Sequence, residues 1–282
     1  MTTAAPATTA ADAAPGTART TPVRRMLALG RTETTLLLRN RTALFMALAM
    51  PPVMIVGLRG ILEAQAGSHP GIDLHATLVN GVAGLILMMV VYYNLTGSFV
   101  ARRGELVLKR LRTGEASDVE ILAGTALPSV VLALLQCALL GGAAAVLMGL
   151  PMPVNPLLMI IGLTLAIALL GALAAVTSSF TKTVESAGLT TMPLMLLAQF
   201  GSGLLIPLET MPQPIAAACK TLPTTPAFQL LRLGWFGTDD ADPATDFLGT
   251  WSQGAFHLML GVLWTATAFW AAHRWFRWEP RR

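Results

Sequence analysis

Apolar residues in this chain come in long unbroken runs, not in the short alternations of a water-soluble fold. Six stretches, 42–62, 76–98, 121–149, 157–179, 187–208 and 250–272, each predict a bilayer-crossing helix, which needs about twenty residues at about 1.5 Å rise apiece. From Ile121 to Thr181 there is no charged residue. That run is too long for one helix, and the cluster PMPVNP at 151–156 marks the turn, since Pro and Asn break a helix and supply local hydrogen bonds.

The segments between the runs differ in kind. Residues 1–22 are rich in Ala, Thr and Pro, lack the apolar core of a signal peptide and the arginine-studded face of a transit peptide, and read as a disordered tail. Over 23–41, Val23, Met26, Leu27, Gly30, Thr34, Leu37 and Leu38 recur at helical spacing while Arg24, Arg25, Arg31 and Arg39 take the other faces. That pattern predicts an amphipathic helix lying in the headgroup plane, or a charged lead into the first span. The stretch 209–249 has prolines at 212, 214, 223 and 226, with apolar pieces at 215–222 and 227–236 too short to span. Such pieces dip into one leaflet or cap the bundle; the plainer alternative is an ordinary external loop. The resulting layout is a tail at 1–22, a transmembrane domain at 23–275 and a basic tail at 276–282.

Composition agrees. Of 282 residues 54% are hydrophobic and 12% charged, with mean hydropathy +0.63; a soluble domain carries about a quarter charged residues. The chain is therefore expected to be an all-α integral membrane protein. Its net charge of +4 would suit nucleic acid, but the positions of the basic residues explain it without any such partner. With six spans the two termini share a side, and sixteen of the nineteen Lys and Arg fall there; Arg59, Lys220 and Arg232 are the exceptions. Basic residues concentrate on the cytoplasmic side, so both termini and the 99–119 loop are expected to be cytoplasmic.

Catalytic chemistry finds little support. His69, His75, His257 and His273 show no metal-ligand spacing, Cys137 and Cys219 make no disulfide framework, and no G-x-S-x-G occurs. A phosphate-binding P-loop needs Lys after Gly and before Ser or Thr, yet Lys109, Lys182 and Lys220 follow Leu108, Thr181 and Cys219. The chain is thus expected to bind no cofactor, with any ATP held by a partner. Ion-coupled transport leaves charged residues inside spans, and these spans carry almost none. Their polar residues are neutral: Asn80, Tyr92, Tyr93, Asn94, Gln136 and Gln199. Such groups form helix–helix hydrogen bonds or line a substrate path; Tyr92, Asn94, Gln136 and Gln199 are the path candidates.

The one strongly charged internal segment is RRGELVLKRLRTGEASDVE, 102–120. Glu105 to Arg112 can form two helical turns, with Leu108 and Leu111 on one side and Lys109 and Arg112 on the other; Gly114 suits its end. Ser117 and Glu120 make a capping box for the third span. Read on physics alone, this is either a surface helix that docks a partner or a basic loop that sets topology.

At these residues the chain resembles the ABC-2 type permeases, the membrane subunits of a class of ABC transporters, in particular daunorubicin/multidrug exporters. The resemblance rests on ARRGELVLKRLRTGEASDVEILAGTALPSVV, similar to the family's E-x-G-x-L-K-R-L-R-T-G-P run into the third span. It rests also on FGSGLLIPLETMP and on TLPTTPAFQLLRLGWFG, and covers about residues 25–275. Where the family often has Pro after T-G, this chain has Glu115. The resemblance implies a coupling helix, with Arg102, Arg103, Glu105, Leu108, Lys109, Arg110, Leu111 and Arg112 seated on a cytoplasmic ATPase subunit. It implies an interfacial helix carrying Arg24, Arg25 and Arg31, outer re-entrant helices within 213–236, and a unit of two permeases and two ATPases. In that unit, spans two and five shift at the dimer seam, where Gly188, Gly201 and Gly203 allow close packing. The expected function is ATP-driven export of a hydrophobic small molecule, a drug or antibiotic, across a bacterial plasma membrane. Export of lipid or polysaccharide is the alternative, and an ion-coupled secondary transporter the more distant one.

Overall fold

The computed structural model describes residues 74–106, 117–239 and 244–278, with helical pieces at 45, 48–50 and 52–57. Tail 1–22, segment 23–41 with Arg24, Arg25 and Arg31, and most of the first expected span lie outside the described residues. Among the described residues every regular element is helical.

The first rod has three parts: α1 (Leu74–Ile86), a π-helical segment (Leu87–Tyr93) and α2 (Asn94–Gly104). α3 (Asp118–Met148) starts on the expected capping box: Ser117 Oγ accepts from the Glu120 N–H at 3.4 Å, and Glu120 Oε2 accepts from the Ser117 N–H at 3.1 Å. It stops at Gly149, whose φ of 64° is the left-handed value that glycine adopts without Cβ strain. α4 (Pro156–Phe180) begins behind Asn155, and α5 (Ala187–Gly201), α6 (Gln213–Lys220), α7 (Thr225–Phe236) and α8 (Phe247–Trp275) complete the order. Four of these rods, His75–Gly104, α3, α4 and α8, are long and apolar enough to cross a membrane. They coincide with four of the six expected spans.

α4 is the hub, packed against α7, α8, α2 and the π segment. Its seam with α7 is a backbone contact. A Cβ on Gly234 would lie 2.5 Å from the Met159 nitrogen, and one on Gly162 would lie 2.8 Å from the Leu231 nitrogen. Glycine at both positions lets two helices approach where no water-driven collapse holds them. Asn155 locks the same end. Its N–H donates to the Gly234 carbonyl at 2.8 Å, its Oδ1 caps the Leu158 N–H at 3.0 Å and its Nδ2 donates to Thr250 Oγ1 at 2.8 Å. One buried residue, by its backbone N–H and its side chain together, thereby joins α4, α7 and α8.

The fifth span departs from expectation. Helix was expected over 187–208, but α5 ends at Gly201 after 15 residues, roughly 22 Å and short of a bilayer core of about 30 Å. A Cβ at Gly201 would press on Leu222 at 2.6 Å, and Gly203 turns the chain at φ 73°. The carbonyls that the broken helix leaves inside the bundle meet side chains: Thr225 Oγ1 donates to the Gly201 carbonyl and Gln229 Nε2 to the Ser202 carbonyl, each at 3.5 Å, and the Ser202 and Thr224 hydroxyls pair at 2.7 Å. Gly201 therefore serves packing within the chain, Gly203 a turn, and Gly188 meets open space.

α6 and α7 then form a helical hairpin, close to the expected pieces 215–222 and 227–236. Trp264 Nε1 donates to the Thr221 carbonyl at the hairpin's tip, 3.0 Å away. Trp264 is seventeen residues along α8, so the tip lies roughly 25 Å from the α8 start. α7 is buried from Thr225 to Leu230 and again from Arg232 to Gly234, and so is a core element, not a loop. Past the end of α8, Phe276 packs on Phe99 with ring centroids 5.8 Å apart.

Alanine at Gly234 must displace the α4 backbone, an overpacking expected to cost about 1–3 kcal/mol. Alanine at Gly142, where a Cβ meets nothing within 4 Å, is the control. Thermal unfolding of the two purified variants should show a depressed midpoint for Gly234→Ala only.

Candidate functional site

Arg102, Arg103 and Glu105 are the described members of the expected coupling set; Leu108, Lys109, Arg110, Leu111 and Arg112 lie outside the described residues. α2 ends at Gly104, and Leu106 sits at φ 58°, a left-handed conformation that is costly for a side chain with a Cβ. The helix expected to start at Glu105 is therefore not helical at its first two positions; the chain turns sharply there before the loop.

Arg103 is not on the loop's surface. It is 2% exposed, and its two terminal nitrogens donate to the carbonyls of Ser178 at 2.8 Å and Thr181 at 2.6 Å. Those carbonyls belong to the last turn and the cap of α4, where backbone acceptors have no helical partner and the dipole favours a cation. Its guanidinium therefore clamps the end of α2 to the end of α4. From there the tie continues: Thr181 Oγ1 pairs with Thr190 Oγ1 of α5 at 2.7 Å. The turn 182–186 is closed by Thr183 and Ser186, each bonding the other's backbone N–H at 3.1 and 3.3 Å. In that turn the Glu185 carboxyl is held below the usual carboxylate range by its own backbone N–H and the Thr183 hydroxyl.

The four path candidates do not converge. Tyr92 is buried and its hydroxyl bonds Thr177 of α4 at 2.9 Å; Asn94 Nδ2 donates to Ser129 of α3 at 3.4 Å. Both are helix–helix ties, aimed by the π segment, in which the Asn94 N–H bonds the Met89 carbonyl five residues back. The extra residue per turn re-aims Tyr92 and Asn94 onto different neighbours. Gln136 is buried within α3 and Gln199 is part-buried on α5.

What does converge is elsewhere. A cavity of about 440 Å3 lies between α1, α3, α4 and α7, walled by Leu134, Cys137, Met159 and Trp235, with Asn80 and Arg232 on it. Arg232 is buried, and its Nη1 reaches Thr77 Oγ1 at 3.3 Å. Sequence reading left Arg232 among loop charges; its setting in LLRLGWF, apolar on both sides, was the available signal. A second missed pair is His257 Nε2 with Asp239 Oδ2 at 3.1 Å, which pins the exit of α7 to α8.

Helices of this length and apolarity, with polar groups paired between them, define a multi-span membrane protein. A family model described as ABC-2 family transporter protein matches residues 73–272, and the chain belongs to that family, whose members are membrane subunits of ABC transporters. No curated protein matches it.

Replacing Arg103 by Ala leaves two buried carbonyls without their charged donor. The expected loss is about 2–4 kcal/mol, since hydrogen bonds to charged groups contribute about 1.5–3 kcal/mol each. Arg102→Ala, at a half-exposed site, should cost under about 1 kcal/mol. Unfolding of both variants in one detergent checks the contrast.

Proposed function

We propose that this subunit is the permease of an exporter that moves a hydrophobic small molecule by alternating access, driven by a separate cytoplasmic ATPase. In this reading the chain crosses a bacterial plasma membrane six times with both termini in the cytoplasm. The α6–α7 hairpin re-enters from the outer side. Two copies with two ATPases make the working unit, meeting along α5 and the α1–π–α2 rod.

The observation that carries the reading is the Arg103 clamp. A partner that seats on the 105–116 loop displaces the end of α2 and the start of α3 directly. Through Arg103 the same displacement reaches the end of α4, and through Thr181 and Thr190 it reaches α5. Rigid helices joined by buried charge-assisted bonds transmit a push without dissipating it in side-chain motion. Arg103 thus acts inside the protein as a positioning residue, while the contact with the ATPase falls to Arg102, Glu105, Leu108, Lys109, Arg110, Leu111 and Arg112.

The α5 surface supports the paired arrangement. Leu189, Met192, Leu196 and Phe200 recur three or four residues apart and are all exposed, a continuous apolar stripe along α5. The stripe suits either lipid or a second copy, and the family's assembly favours the second copy.

Arg110→Glu with Arg112→Glu reverses the charge of the loop. The pair should abolish co-purification with the ATPase subunit and reduce ATP-dependent efflux from vesicles to background. Assembly and efflux at wild-type levels in that variant would defeat the docking assignment.

A further inference from the structure

The α6–α7 hairpin carries a charge to a depth at which a bilayer is hydrocarbon. α8 holds 29 residues, roughly 43 Å of helix against a hydrocarbon core of about 30 Å. The hairpin tip meets α8 at Trp264, whose Nε1 donates to the Thr221 carbonyl. That contact lies roughly 25 Å from the α8 start and roughly 17 Å from its end. Wherever the core falls along α8, the tip is inside it. Lys220, the last residue of α6, immediately precedes Thr221.

No described residue answers that charge. Arg232, the other basic residue of the hairpin, is buried and reaches Thr77. The half-buried Lys220 side chain makes no hydrogen bond and no ion pair among the described residues. α6 has no buried residue; it leans on α5, on α7 and on the turn Leu208–Thr210, and its remaining surface is open. A helical side chain tilts toward the start of its own helix, so Lys220 reaches back over Ala216 and Ala217, still within the core. A lysine in the last turn gains something from the helix dipole, but that does not replace lost hydration at this depth. Charged groups inside a membrane face a path through the protein and pair there with a group of opposite sign.

We infer that Lys220 is a specificity-determining residue of the cargo path, and that the cargo is an apolar molecule bearing one anionic group, such as a carboxylate. The inference rests on the exporter reading above and narrows its substrate class. α6 lies against α5, so Lys220 stands beside the seam where that reading brings two copies together. The two alanines beneath the lysine leave room next to its ammonium, and the open apolar face of α6, with Ile215 53% exposed, suits the body of such a molecule. An ammonium and a carboxylate form a charge-assisted bond that strengthens as water is excluded. A cationic cargo would be repelled, and a neutral one would gain nothing from the charge.

The test uses the full chain in phosphatidylcholine nanodiscs, without ATPase or nucleotide, and with empty discs subtracted as the partition control. The probes are pyrenebutyrate, which is anionic, and pyrenebutanol, its neutral counterpart. Wild type should retain pyrenebutyrate about tenfold or more above pyrenebutanol, the factor for one hydrogen bond to a charged group. Lys220→Met keeps the apolar stem and should lose that preference, while its unchanged pyrenebutanol retention reports an intact fold. Lys220→Arg should keep the preference. Equal retention of the two probes by wild type, an undiminished preference in Lys220→Met, or loss of both probes together in that variant would overturn the assignment. Discs of digalactosyl diacylglycerol, a lipid without phosphate, separate cargo from lipid. The same preference in both kinds of disc supports the inference. A preference seen only without phosphate means that a phospholipid head group holds Lys220, and overturns it. Failure here leaves the exporter reading standing with another cargo, and failure of ATPase docking leaves this measurement untouched.

Discussion

The arrangement depends on how closely α7 can approach α4. Two glycines, Gly162 and Gly234, remove the side chains that would hold these helices apart, so that backbone meets backbone. In lipid there is no hydrophobic drive to press helices together, and contact area gained by close approach takes its place. Once α7 lies in that groove, α8 has a surface on its other side, α4 becomes the hub, and α3 is left standing off from α4. The cavity follows from that displacement, since the chain fills the space between α3 and α4 with a short helix in place of a full span.

At three places where helical backbone ends inside the bundle, a specific side chain meets it. Asn155 serves the start of α4, the Ser202, Thr224 and Thr225 hydroxyls serve the region where α5 breaks off, and Arg103 serves the end of α4. The reason is common to all three: a bilayer offers no water to satisfy a freed carbonyl or N–H, so protein groups must do so. These ties also join elements far apart in sequence, which makes them the rigid connections of the molecule. The Arg103 clamp joins the ends of α2 and α4, and Thr181 carries the tie on to Thr190 near the start of α5.

The two ends of the bundle differ. One carries the Arg103 clamp between the ends of α2 and α4. The other holds Asn155 and the Asp239–His257 pair.

Hydrophobic run length by itself determined the class of protein, the positions of α3, α4 and α8, the capping box at Ser117 and the short helices within 213–236, because each is a local property of composition or spacing. The motif order across 102–236 was enough to point to the family. Tertiary structure alone decided the rest. Gly201 reads as the middle of a span, yet the helix stops there because Leu222 and Cys219, brought in by the hairpin, occupy the space. Arg103 and Arg232 read as loop charges and prove buried, because the groups that receive them, Ser178, Thr181 and Thr77, lie 75, 78 and 155 residues away. Tyr92 and Asn94 bond Thr177 and Ser129, because a π turn aims them at neighbouring helices. A residue's chemistry is written in the chain, but what it faces is set by helices that pack against it from distant parts of the sequence.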